Sequence, residues 1–123
     1  MATPEISVLS VTQPVEDQDR ALAFYREVLG FEVVRDLVLD GGARWLEVAP
    51  PGSPVSVALV RAGSGMPIGI RLGTHHIDPL RETLERDQVD VDEAVIRTPS
   101  APGMFTLRDP DGNTVVLVEE PGD

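Results

Sequence analysis

The sequence predicts an α+β fold of two tandem βαβββ modules, and three observations carry that prediction. The order strand, helix, strand, strand, strand occurs twice at a spacing of roughly 60 residues, which weighs more than any single element. Each repeat has one stretch of apolar residues at helical spacing, set among segments with the short period of strands. Proline and glycine gather at the joints between those segments, where the chain has to turn.

Ile6 to Val11 alternates apolar side chains with high β-propensity and predicts a first strand, which Pro14 should end. From Asp17 to Leu29, the residues Ala21, Leu22, Tyr25, Val28 and Leu29 recur at helical spacing, with Asp17 or Glu16 near the start and Gly30 where a C-cap belongs. Phe31-Glu32-Val33-Val34 resumes a strand, and Asp40-Gly41-Gly42 has the composition of a hairpin turn. Ala43 to Ala49 and Val55 to Arg61 follow as strands. Between them Pro50-Pro51-Gly52-Ser53-Pro54 cannot be regular structure, because its prolines fix φ and lack a backbone donor. In the second half Ile68 to Thr74 predicts a strand. Asp78-Pro79 then offers an N-cap with proline at the first helical position, for a helix running to Asp87. Val89 to Ile96, Met104 to Arg108 and Thr114 to Val118 supply the last three strands.

At 123 residues the chain reads as one domain, 1–123, with module one at 5–62, a linker at 63–66 around Gly63-Ser64-Gly65, and module two at 67–120. Apolar residues make up 41% and charged residues 25%, so the composition is that of an ordinary soluble domain. No apolar run approaches a transmembrane length, and Met1-Ala2-Thr3-Pro4-Glu5 lacks a secretory pattern, so a cytoplasmic protein is expected. The absence of cysteine excludes disulfides, thiolate nucleophiles and cysteine-bound zinc. A net charge of −11 would repel nucleic acid and anionic membrane surfaces, and it favours a cationic small-molecule partner over an anionic one. All ten basic residues are arginine, a bias that reads first as genome composition.

Two pieces of sequence carry a family resemblance. Val15-Glu16-Asp17, Arg20-Ala21-Leu22-Ala23-Phe24-Tyr25 and Leu29-Gly30-Phe31 form the first. Asp109-Pro110-Asp111-Gly112-Asn113, running straight into Thr114-Val115-Val116-Leu117-Val118, forms the second. At this separation, inside a doubled βαβββ pattern, they resemble the first-helix signature and closing turn of the vicinal-oxygen-chelate superfamily of glyoxalases, bleomycin-resistance proteins and dioxygenases. The resemblance implies curled mixed sheets around a cavity, helices on the convex side, ligands on the concave side, and a homodimer. Strand alternation then sorts the faces. Leu46 and Val48 should face the helices, with Trp45 and Glu47 toward the cavity. Leu9 and Val11 should face the core, with Val8, Ser10 and Thr12 in the groove, and Thr114, Val116 and Val118 should point inward.

Metal-dependent relatives place a histidine or glutamine on the first strand of each module and a carboxylate on the last. Carried onto this sequence, those positions fall on Ser10 and on Gly69, with Arg71 the alternative one face-preserving step away. The carboxylate positions fall near Ala58 and on Val116. None supplies an imidazole nitrogen or carboxylate oxygen, so neither metal nor other cofactor is expected. His75 and His76 are the only histidines. As neighbours on extended chain they point to opposite faces, and they read first as a solvated turn before the second helix. As structure, Glu47 would face solvent or pair with an arginine such as Arg44. As function, it would neutralise a cationic ligand while the Trp45 indole stacks on it. With Met104 and Thr106 on the seventh predicted strand, the candidate ligand-binding set is Ser10, Trp45, Glu47, Arg71, Met104, Thr106 and Val116.

Two function classes follow. One is a non-enzymatic protein that sequesters a bulky or cationic small molecule, in the manner of bleomycin-resistance proteins. The other is a glyoxalase- or dioxygenase-like enzyme with a non-standard or absent metal site, in which Glu47 would serve as general base. No nucleophile elbow, phosphate-cradling glycine loop or His-Glu-x-x-His pair suggests another route.

Overall fold

A computed structural model describes residues 5–99 and 101–121. Met1 to Pro4, part of the segment read above for a secretory pattern, lie outside the described residues. Two compact units divide the chain. One spans Leu9–Ile68, and the other takes the described residues from Gly69 onward together with Glu5 to Val8.

The Leu9–Ile68 unit contains β1 (Ser7–Val15, entering from the other unit), α1 (Gln18–Ala23), a π-helical turn (Phe24–Val28), β2 (Glu32–Val38), β3 (Arg44–Ala49) and β4 (Ser56–Arg61). Its strands lie in the order β2-β3-β4-β1, antiparallel except for the parallel β4–β1 pair. The second unit contains β5 (Ile70–Thr74), α2 (Ile77–Arg86), β6 (Asp90–Val91), β7 (Ile96–Thr98), β8 (Ala101–Arg108) and β9 (Thr114–Glu119). Its order is β5-β9-β8-β6, with β7 also on β8 and only β5–β9 parallel. The two halves thus repeat one strand order, and the predicted α+β class with doubled βαβββ modules is borne out.

Local sequence accounts for most of the joints. The Asp17 carboxylate accepts the Arg20 N–H at 3.0 Å and caps α1. Gly30 closes the far end at φ +74°, where a side chain would be strained, and the Phe31 N–H returns to the Tyr25 carbonyl at 2.9 Å. Gln18 has no counterpart in the apolar pattern, yet its amide donates to the carbonyls of Arg44 and Leu59 at 3.0 and 2.9 Å, pinning α1 to β3 and β4.

Several boundaries move for physical reasons. Pro14 lies inside β1, in register with Val60, because a proline near a strand end costs little where its missing donor is not required. The helix predicted to Leu29 widens into a π turn from Phe24. Asp78 does not cap α2. The helix begins at Ile77, which is fully buried, with His76 at the N-cap, while the Asp78 carboxylate pairs with Arg97 at 2.8 Å. Pro79 still fits, since the first-turn N–H groups have no partner within the helix. The strand predicted from Val89 to Ile96 splits into β6 and β7 at Asp92, whose N–H still donates to the Thr106 carbonyl while its side chain, bound also to the Thr106 hydroxyl and Arg108, takes the Thr106 N–H. Val11 shares the helix-side face with Val57 but is not covered. It is exposed, because the apolar side chains of α1 and its π turn pack on Val15, Leu46, Val48 and Leu59 instead.

Each unit has its own apolar core on its helix side. In the first, Leu46, Val48 and Leu59 pack against Ala21, Leu22, Tyr25 and Phe31. In the second, Phe105, Ile77, Leu80 and Leu117 form the centre, with Leu72, Leu84 and Val115 around it.

Paired carboxylates give the fold an acid limit. Burial by itself raises the Asp92 carboxyl, but the Thr106 hydroxyl, the Arg108 guanidinium and the Thr106 N–H outweigh it and hold the group below the usual carboxylate range. Asp36 is lowered by its hydrogen bond with Arg44. A carboxyl whose pKa is lower in the folded chain adds stability above its unfolded value, about 3.9, and that stability is lost as pH falls through the folded value. The melting temperature is therefore expected to fall below about pH 4, with Asp92→Asn removing part of that dependence. A melting temperature unchanged in acid would show that these networks contribute nothing.

Candidate functional site

The face of the Leu9–Ile68 unit opposite α1 carries an unusual set of buried polar groups. Leu46 and Val48 of β3 point to α1, so Trp45 and Glu47 point away, as alternation requires. Trp45 packs on Ala58, Val60, Leu39 and Met66. Glu47 is 6% exposed, and its carboxylate accepts hydrogen bonds from the Trp45 indole N–H and, at 2.6 Å, from the Ser56 hydroxyl. Arg44 is not its partner, contrary to the structural expectation. That guanidinium grips Asp36 through two bonds of 2.9 and 2.8 Å and Asp19 through one of 2.8 Å.

Register places these groups in rows. Glu47 pairs with Ala58, and Ala58 with Thr12, while Arg35, which is exposed, continues the row at the β2 edge. One step along, Ser10 pairs with Ser56, and Ser10 is fully buried. Ser10, Trp45 and Glu47, three of the expected binding residues, are thus brought together. Sequence reasoning missed Ser56, for which no local signal exists. An open groove of about 450 Å³ lies instead on the helix side, bordered by Val15, Ala21, Phe24 and Tyr25, and it contains none of the expected residues.

The second unit repeats the geometry without the chemistry. Arg71 pairs with Val116, and Val116 with Thr106, in the row matching Thr12–Ala58–Glu47, and Met104 pairs with Val118 beside it. The Thr106 hydroxyl donates to Asp92 at 2.6 Å and accepts from Arg108 at 3.0 Å, so it holds β6 to β8. Asp109 organises the closing turn. Its carboxylate accepts the backbone N–H groups of Asp111 and Asn113 and the Asn113 amide, each at 2.9 Å, and these bonds, Asn113's side chain first, lower its pKa. The histidines stand apart. His76 occupies the N-cap position of α2 without a capping side-chain bond, and His75 is exposed with Nδ1 3.3 Å from the Glu120 carbonyl oxygen.

The family model of the glyoxalase/bleomycin resistance protein/dioxygenase superfamily matches residues 7–117. The chain belongs to that superfamily. Methylmalonyl-CoA epimerase from Mycobacterium tuberculosis is 23% identical over 100% of this chain and 93% of that one, with a TM-score of 0.80. That likeness speaks to the fold alone. A superfamily member from Sphaerobacter thermophilus DSM 20745 is 38% identical over 93% of this chain and 97% of that one, at a TM-score of 0.45. TnmS3, an antibiotic binding protein from Streptomyces sp. CB03234, is 35% identical over 99% of both chains, at a TM-score of 0.43. The uncharacterized protein YetH of Bacillus subtilis (strain 168) is 40% identical over 45 residues, and the match spans 37% of this chain and 38% of YetH. No described helix is long and apolar enough to cross a membrane.

The superfamily's metal chemistry does not fit the residues at the positions carried over for it. Ala58 and Val116 present alkyl groups on corresponding strands, and both are buried. At Gly69 no side chain of any kind fits, because a Cβ there would collide with the Thr114 carbonyl oxygen. Ser10 alone brings an oxygen, a poor ligand without imidazole or carboxylate company.

Proposed function

We propose that this chain is a superfamily member that binds a bulky, cationic small molecule without a metal, in the groove built by Trp45, Glu47, Ser10 and Ser56. Relatives that include both an epimerase and an antibiotic binding protein leave the function class open, because fold is weak support for function. The observation that carries the reading is the Glu47 carboxylate, buried on a strand face whose ligand positions hold no metal donor. Burying a carboxylate opposes folding unless it is well hydrogen-bonded, and Trp45 and Ser56 fix its two oxygens in place. Such a fixed negative pole beside an indole is suited to an organic cation, attracted by charge and by the aromatic face. The acidity of the chain favours approach of the same ligands. The protein is expected to act in the cytoplasm as a homodimer, apart from nucleic acid and membranes.

Trp45 is the only tryptophan, so its fluorescence reports on this groove. Titration with a panel of aromatic amines is expected to change that emission saturably, with the ligand recovered chemically unchanged and no stoichiometric metal in the dialysed protein. Emission that is flat for every cation, or tightly held Ni, Zn, Fe or Mn, would defeat the proposal. The second class, a metal-free enzyme, draws on the same carboxylate acting as general base, and a ligand recovered in altered form would favour it.

A further inference from the structure

The open groove on the helix side of the Leu9–Ile68 unit has a chemistry of its own. Val15, Ala21, Phe24 and Tyr25 give it apolar walls, and Glu16, Asp17 and Arg20 line it as well. Its volume of about 450 Å³ falls among those of small-molecule sites, which are mostly apolar with a few charged groups. Phe24 is 51% exposed, yet its ring is braced. It meets Tyr25 edge to face, with centroids 5.5 Å apart and planes at 86°, and Tyr25 leans on Phe31 at 5.4 Å in the core of the unit. The π turn begins at Phe24, although no proline or glycine between Gln18 and Val28 forces it. Turns of this kind are rare and recur at functional sites.

We propose that this groove is a second binding site, taking a small organic cation whose apolar ring packs on Phe24 and whose ammonium meets the Glu16 carboxylate. Charge selects that occupant. Two carboxylates stand against one guanidinium in the lining, and the whole chain carries −11. Asp17 keeps its charge while it accepts the Arg20 N–H as the cap of α1. Glu16 is held only by the Arg20 guanidinium at 4.0 Å, with both side chains mostly exposed. An exposed ion pair of that length contributes little, so a ligand ammonium takes the place of Arg20 at low cost, and the aromatic face attracts the same sign of charge. The site lies on the face opposite Trp45 and Glu47 and does not depend on the reading given to them.

Tyr25 is the only tyrosine, so the full chain labelled with fluorotyrosine gives a single fluorine resonance, and that resonance belongs to this groove. Titration with phenethylamine is expected to shift it saturably, and the uncharged phenethyl alcohol to bind about threefold more weakly. Phe24→Ala should weaken the amine about fivefold and, because the ring is half exposed, fold as the wild type does. The charged pair gives the sharper test, since its two members act in opposite directions. Glu16→Gln is expected to weaken the amine about threefold, and Arg20→Gln to strengthen it about twofold by removing the competing cation. A resonance that stays fixed, equal binding of amine and alcohol, an unaffected Phe24→Ala, or an Arg20→Gln that weakens binding would each overturn the proposal. Trp45 emission reads the opposite face, so failure here and failure of the Glu47 groove are told apart.

Discussion

Glu47→Gln is expected to weaken binding of an aromatic amine by about 30- to 150-fold, the equivalent of about 2–3 kcal/mol for losing a charged partner in a buried site. The substitution keeps the shape and removes the charge, and it also breaks a local symmetry. The Glu47 carboxylate accepts from the Trp45 indole on one oxygen and from the Ser56 hydroxyl on the other. Glutamine presents one oxygen and one NH2 group, so only one of those donors keeps an acceptor, and the Ser56 hydroxyl must rotate or go unpaired if it meets the NH2. A modest loss of stability, about 1–2 kcal/mol, should accompany the loss of binding. Calorimetry measures the first and thermal melting the second. Affinity unchanged within about twofold would place the ligand elsewhere, whatever happened to stability.

Phe105→Ala is expected to remove about 3–5 kcal/mol of stability, a large part of the 5–15 kcal/mol that keeps a typical domain folded. Phe105 is 1% exposed at the centre of the second unit, against Ile77 and Leu80 of α2 and Leu117 of β9. Truncation loses the transfer energy of the ring and leaves a cavity that a sheet on one side and a helix on the other cannot close. For a chain of this length the melting temperature should fall by roughly 12–20 °C. A drop of only a few degrees by circular dichroism would mean that α2 settles onto β8 and refills the space.

Much of the fold was readable because its signals are local. Asp17 caps α1 through a residue three places on, Gly30 ends the helical segment, and Asp40-Gly41-Gly42 turns the β2–β3 hairpin. Readings failed where a distant partner outcompeted a local preference. Asp78 has the composition of a cap and is drawn to Arg97, and Asp92 sits in a β-prone run that its own side chain interrupts by binding Thr106 and Arg108. The candidate site divides in the same way. Alternation along β3 put Trp45 and Glu47 on the face away from the helix from sequence alone. Nothing within a few residues of Glu47 announces Ser56, or that Arg44 would go to Asp36 and Asp19.

By itself the sequence determined the doubled βαβββ order, membership of the superfamily and the identities of the residues at its metal positions, because periodicity, turn chemistry and donor type belong to single residues and short windows. The tertiary structure decided that Glu47 is buried and shared between Trp45 and Ser56, and that Gly69 leaves room for no side chain. Those facts depend on strand register, which arises from pairing between segments far apart in the chain, and a slip of one residue would turn each of these side chains to the opposite face.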